Sequence, residues 1–293
     1  GEKAQLEFDI ASLERNKAFA SQLSQDIKAG TTSFFQSVRV GVPNMKEAIS
    51  FWTNGCGALV LDTQTVNGVN VTTVGYGPQS FEVDDGAKFA IELVEGEATR
   101  YDDDGVLQYV QLAIPIFRLS QVMKFGGDIE SSYGWTSLTA PGGLPMRVHI
   151  DTNRRDPFEF VALRPGNLKE SMAFYQGLGM NKLDEKTGKR KLELSLNKNT
   201  LFENEDATEP EREKGSILMG YGDKAQATGV LLMPPKTRKL PADPAPPVMR
   251  FVGGSSPTER QAPDGVKTIF APVADFEASS VAKALRRGSD LMS

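Results

Sequence analysis

The 293-residue chain has one cysteine, Cys56, and one histidine, His149. A lone cysteine excludes an internal disulfide and a thiolate cluster, so a reducing intracellular compartment is expected. A lone histidine excludes a histidine-rich metal site and any mechanism that needs two imidazoles. No apolar run approaches the roughly eighteen residues of a transmembrane helix, so no transmembrane segment is expected. A basic excess is also missing: 33 Lys and Arg stand against 38 Asp and Glu, a net charge of −5. That balance excludes nucleic acid as the main partner. There is no secretory signal, and the first residue is Gly1, so a processed or trimmed chain is expected. What remains, 39% apolar and 24% charged residues, is the composition of a globular protein long enough for one large or two ordinary domains.

Residues 1–30 stand apart. Ile10, Leu13, Lys17 through its stem, Ala20, Leu23 and Ile27 recur at steps of three and four. The spacing predicts an amphipathic helix, with Asp9 or Ser12 as N-cap and Gly30 as stop. Such a helix either packs on its own domain or serves as a docking arm. In the second case Ile10, Leu13, Leu23 and Ile27 are the candidate partner-binding face.

The body of the chain repeats itself. VPNMKEAISFW (Val42–Trp52) matches PGNLKESMAFY (Pro165–Tyr175), and VTTVGYG ending at Gly77 matches SILMGYG ending at Gly222. Two landmarks in the same order in both halves signify an internal duplication. The second copy is lengthened by a charged, unpatterned stretch, Glu203–Lys214, which reads as a solvated loop.

Period and punctuation give the first half a strand at Phe34–Val42, a helix capped by Asn44 and stopped at Gly55, and strands near 59–63, 69–76 and 89–94. A strand at 107–114, a helix around 118–125 and a strand at 146–151 follow. The second half repeats the scheme: strand 158–163, helix 167–176, then strands near 182, 191–196, 216–221 and 229–233. Six prolines between Pro234 and Val248 make a stiff connector. The last quarter is short, with strands 248–252 and 266–271 and a helix from Asp275 or Glu277 to Arg287. The expected fold is α+β, of duplicated β-α-β-β-β units forming curved mixed sheets. The expected organisation is a helical arm (1–30), one domain at 31–155 and a second at 156–293 with a reduced last unit.

Consecutive units with helices reading PNMKEAISFW and GNLKESMAFYQGLGM resemble the vicinal oxygen chelate, or glyoxalase I, superfamily. VGYG followed by FAIELV, and PDGVKTIF at Pro263–Phe270, are most like the two-domain plant-type lactoylglutathione lyases. The likeness runs from about Thr31 to Glu277. It implies paired units closing around a cleft. In active members a divalent metal there (Ni, Zn, Mn or Co) polarises a hemithioacetal, and a carboxylate ligand moves the proton.

The same resemblance assigns ligand positions. On the first strand, matching Arg39-Val40-Gly41 selects Phe35, and counting from the helix selects Ser37. Gln36 lies between and ligates only if a bulge turns it inward. Glu92 in IELV matches a ligand glutamate, YVQLAI puts Tyr109 at the next position, and Glu159 in PFEFV best matches the glutamate that doubles as base. In the second half Phe160 and Leu232 stand where ligands are expected. Arg39 and Arg164 match substrate-binding arginines, but the family's Asn is replaced by Gly96 and Lys236.

A ligand set of Gln36, Glu92, Tyr109 and Glu159 lacks a neutral nitrogen donor and holds a cation weakly. The expectation is therefore a glyoxalase-like protein that has lost lyase activity. It then acts as a binding or structural subunit with a protein partner and no cofactor, on the family's kinship part of a chloroplast or photosynthetic membrane assembly. The alternatives are a metal-dependent lactoylglutathione lyase and a small-ligand-sequestering binder, with the cytosol as the alternative compartment. His149 reads as a structural or surface residue, Cys56 as a small buried one, Asp102–Gly105 as a turn, and the two Gly-Tyr-Gly motifs as hairpin turns. Lys236, Arg238, Lys239, Arg286 and Arg287 read as solvated charges.

Overall fold

A computed structural model of the chain describes residues 33–77, 89–99, 101, 105–126, 128–132, 135–150, 156–183, 212–221, 228–236, 247–253 and 258–272. The N-terminal helix with its apolar face, the strand at 191–196, most of the acidic insertion and the C-terminal helix lie outside the described residues.

The chain forms four consecutive units. The first is β1 (Phe34–Val42), α1 (Met45–Ser50, continued by a π-helical turn Phe51–Gly55), β2 (Leu59–Val66), β3 (Val69–Gly75) and β4 (Ala90–Glu95). The second is β5 (Leu107–Ile114), α2 (Ile116–Lys124), β6 (Asp128–Ser132), β7 (Trp135–Thr139) and β8 (Pro145–Ile150). The third is β9 (Phe158–Leu163), α3 (Leu168–Gly177), β10 (Asn181–Lys182), β11 (Ile217–Gly220) and β12 (Gly229–Leu232). The fourth has β13 (Val248–Val252), β14 (Thr258–Gln261) and β15 (Lys267–Ala271). Strands β6, β7 and β14 have no counterpart among the strands expected from the sequence. Their Ser, Thr, Glu and Gln content carries little apolar alternation, so their pairing comes from neighbouring strands.

Each complete unit has one topology: the opening strand pairs in parallel with the closing one, and the two middle strands extend the sheet outward. Units then join back to back through antiparallel opening strands. Sheet one has the order β14-β15-β13-β1-β4-β3-β2, uniting the first and fourth units. Sheet two has the order β10-β11-β12-β9-β5-β8-β7-β6, uniting the second and third. Every sheet therefore draws one unit from each sequence half.

Both copies of the helix motif are capped alike. The Asn44 side chain accepts from Glu47 N at 3.1 Å, and Asn167 accepts from Glu170 N at 3.3 Å. Their far ends differ by one residue. Phe51 is followed four positions later by Gly55, whereas Phe174 is followed three later by Gly177. The extra residue is absorbed as the π turn, where Cys56 N donates to Phe51 O at 2.9 Å. In the other copy Leu178 N makes the ordinary bond to Phe174 O.

Alternation along the strands divides their side chains. Val38, Val40, Ile91 and Leu93 of sheet one, and Val110, Leu112, Met146 and Val148 of sheet two, join Phe51, Trp52 and Tyr175 in one apolar core. Phe158 bridges the sheets within it, 5.7 Å from Trp52 and 4.9 Å from Phe89 between ring centroids. Buried Asp156 fixes the same junction by accepting from Phe89 N and the Thr228 hydroxyl. The alternate side chains occupy the other face of each sheet, and these carry the polar clusters.

Candidate functional site

On sheet one, β1 slips register between Phe35 and Ser37. The bulge lets Phe35 stack on Phe251 in the core while Ser37 lies beside Glu92 of β4. The Ser37 hydroxyl donates to Glu92 Oε1 at 2.8 Å. Arg39, directly opposite Glu92 in the parallel pairing, reaches Oε2 through Nε at 3.3 Å and Nη2 at 3.1 Å. Arg250 of β13, opposite Ser37, brings its Nε to 2.8 Å from Oε1 and 3.1 Å from Oε2. One carboxylate thus receives a hydroxyl and two guanidiniums, from two strands of two units. Gln36, at the slip itself, is half-buried.

On sheet two, Gln111 of β5 donates its Nε2 to Glu159 Oε2 of β9 at 2.6 Å. His149 Nε2 of β8 lies at the same distance from the same oxygen. All three side chains are buried. The carboxylate fixes the proton of the imidazole on Nε2, and buried Nδ1 has no hydrogen-bond partner among the described residues. Beside this cluster Tyr109, Phe160, Ala162, Leu218, Leu231 and Met233 form a small apolar group. The Arg147 guanidinium lies 4.0 Å above the Tyr109 ring.

The four positions assigned from the motifs are therefore divided. Gln36 and Glu92 belong to sheet one, Tyr109 and Glu159 to sheet two. Tyr109 packs on Phe160 within the apolar group, and the polar side chain meeting Glu159 is Gln111, two positions on along the same strand face. His149, read from the sequence as structural, lies on the closing strand of the second unit, and Glu159, the expected final ligand, lies on the opening strand of the third. On β12 Leu232 points into the shared core, and Leu231 is its neighbour on the other face. The strand register shows Gln111 and His149 plainly. In the sequence, the alternation of YVQLAI puts Gln111 on the face of Tyr109, and that is the available signal.

Other residues resolve into structure. Buried Arg164 donates to Gln108 Oε1 at 3.2 Å, to Pro234 O at 2.6 Å and to both oxygens of Glu213. The guanidinium is a strut between β5, β9 and the residue after Met233, and its hydrogen bond holds the Glu213 carboxyl below the usual range. Cys56 is buried, and desolvation pushes its thiol far up despite nearby Arg118. Tyr76 and Tyr221 of the Gly-Tyr-Gly motifs donate to Cys56 O at 3.0 Å and Leu178 O at 2.8 Å. Each ties the end of a strand to the end of its unit's helix.

Glyoxalase I from Zea mays superposes with a TM-score of 0.60 at 16% identity, over 88% of this chain and 99% of that one. The fold is that of the vicinal oxygen chelate proteins. A point mutant of the maize glyoxalase I gives 0.63 at 16% identity, over 89% of this chain and 99% of the mutant chain. A putative dioxygenase from Bacillus subtilis gives 0.50 at 10% identity, over 82% and 84%. No protein-family model and no curated protein matches the sequence.

The two faces differ in their fit to the metal of that fold family. On sheet one two guanidiniums occupy the space around the Glu92 carboxylate, so a cation would meet like charge there, and the residues do not fit. On sheet two an amide, an imidazole and a carboxylate from three strands are a donor set for a borderline divalent ion. Among the described residues His149 Nδ1 lacks the outer partner that metal-bound histidines ordinarily have.

Proposed function

We propose that the chain is a binding or structural protein on a glyoxalase-type scaffold that has given up lyase chemistry. The observation that carries this reading is the neutralisation of Glu92 by Arg39 and Arg250. A carboxylate so engaged has its lone pairs committed to three donors, and a metal could use it only by displacing two guanidiniums. The glutamate expected on β12 is replaced by leucine, so no second carboxylate restores a base there. The partner in this reading is a protein, with the segment at 1–30 as the docking arm and a chloroplast assembly as its setting. The test is an assay of the purified chain on the hemithioacetal of methylglyoxal and glutathione, with Ni, Zn, Mn and Co supplied in turn. No turnover above the uncatalysed rate is expected; metal-dependent turnover would overturn the reading. Recovery of partners from a native extract should fall when residues 1–30 are removed, and equal recovery would discard the docking arm.

A second reading has its own observation. Gln111, His149 and Glu159 would hold one divalent ion on sheet two, and that ion would polarise a substrate oxygen. Glu159 would then accept the proton, with Gln111 orienting its carboxylate and the Tyr109–Phe160 group excluding water. Metal bound at one per chain and lost on both Glu159→Gln and His149→Ala would favour this reading over the first.

A further inference from the structure

The Glu92 cluster is electrically incomplete. Two guanidiniums against one carboxylate leave a charge of +1, drawn from residues on β1, β4 and β13. Glu92 uses the Nε and one Nη of Arg39 and the Nε of Arg250. Among the described residues, the remaining N–H groups of both guanidiniums have no acceptor. The cluster is also layered. Ser37 is buried, the Glu92 side chain is 12% exposed, and the side chains of Arg39 and Arg250 are 35% and 33% exposed. Glu92 therefore holds both forks from the more buried side, and both arginine side chains stay partly open to solvent. Thr73 of β3 and Ile269 of β15 flank the pair by strand register.

Anchored arginines of this kind lose little freedom on meeting a ligand, and their planar forks match oxyanions bidentately. We propose that Arg39 and Arg250 form a receptor for a small oxyanion, phosphate or carboxylate, where other members of the fold family would bind a cation. The inference rests on the reading that Glu92 no longer serves a metal, and it names the ligand class of that face. A divalent cation is repelled by the net charge of the cluster. The chain's overall charge of −5 disfavours extended polyanions such as nucleic acid, which leaves a small anion.

The test is calorimetric titration of the full chain with sodium phosphate and, separately, sodium succinate, the ionic strength held constant with chloride. Saturable one-to-one binding of either anion is expected, and the arm that binds identifies phosphate or carboxylate as the ligand chemistry. Arg250→Met should weaken binding by about tenfold or more, the share of one charge-assisted fork. Glu92→Gln, which keeps an amide oxygen against the forks and removes only the opposing charge, should tighten it by about tenfold. A triad that merely braces the sheet would not tighten. Absence of saturable binding in the wild-type chain, or unchanged affinity in Arg250→Met, would overturn the inference and leave the non-catalytic reading standing. Stoichiometric metal lost on Glu92→Gln would overturn both.

Discussion

His149 Nε2 lies 2.6 Å from Glu159 Oε2, although β5 runs between their two strands. The contact exists because β5 is paired in parallel with β8 and antiparallel with β9, so residues ten apart in sequence face one another across Gln111. Replacing His149 by Leu leaves the Glu159 carboxylate buried with Gln111 as its remaining partner in the cluster. A loss of about 2 kcal/mol is expected, the range for removing a buried hydrogen bond to a charged group. Urea unfolding at neutral pH measures it, and a loss below about 0.5 kcal/mol would mean that the pair is not buried in solution.

The turn between β14 and β15 carries a pH-dependent contact. Asp264 Oδ1 accepts from Val266 N at 3.2 Å, and its carboxyl is packed near Ser171 and Tyr175 of α3. Burial pushes the Asp264 carboxyl up to about 6, against the opposing hydrogen bonds. A raised carboxyl favours the folded state in its protonated form. Its contribution is full below the unfolded value near 4 and is lost as pH rises through about 6, amounting to about 3 kcal/mol. Asp264→Asn should flatten the stability profile between about pH 4 and 7 and be the more stable protein at about pH 8. An unchanged profile would refute this.

Cys56 should be chemically silent. Its buried, strongly raised thiol offers almost no thiolate at neutral pH. A thiol reagent should leave the native chain unmodified over hours and titrate one thiol in denaturant; fast native reaction would contradict the packing.

The tyrosines of the two Gly-Tyr-Gly motifs form a repeated device, so their loss should cost alike. Tyr76→Phe and Tyr221→Phe each remove a hydrogen bond to a backbone carbonyl, Cys56 O or Leu178 O. Each should cost about 1 kcal/mol, measured by denaturant midpoint. A neutral Tyr76→Phe beside a costly Tyr221→Phe would show that the equivalence between units is only geometric.

Much of the architecture is legible in the sequence. Asn44 and Asn167, each followed three residues later by glutamate, mark both helix starts, alternation marks β1, and short apolar runs mark β5 and β9. The π turn is not readable as such, because one extra residue before Gly55 signals a length change without saying how the backbone absorbs it. The joining of the first unit to the fourth is also hidden, since β1 and β13 lie at opposite ends of the described chain. That pairing decides the Glu92 cluster: nothing local to IELV announces that Arg250 comes to rest on it. His149 reads as structural from sequence because one imidazole cannot build a histidine-rich site. Its companions, an amide and a carboxylate from two other strands, are brought to it by strand register, which leaves no local signature.

The central claim is that arginines have displaced the cation at Glu92. Elemental analysis of the full chain, loaded with Ni, Zn, Mn or Co and freed of excess by gel filtration, tests it most directly. The account predicts that Glu92→Gln leaves the bound metal unchanged, with any ion present depending on Glu159 and His149 instead. One equivalent of metal per chain that disappears with Glu92→Gln would contradict it.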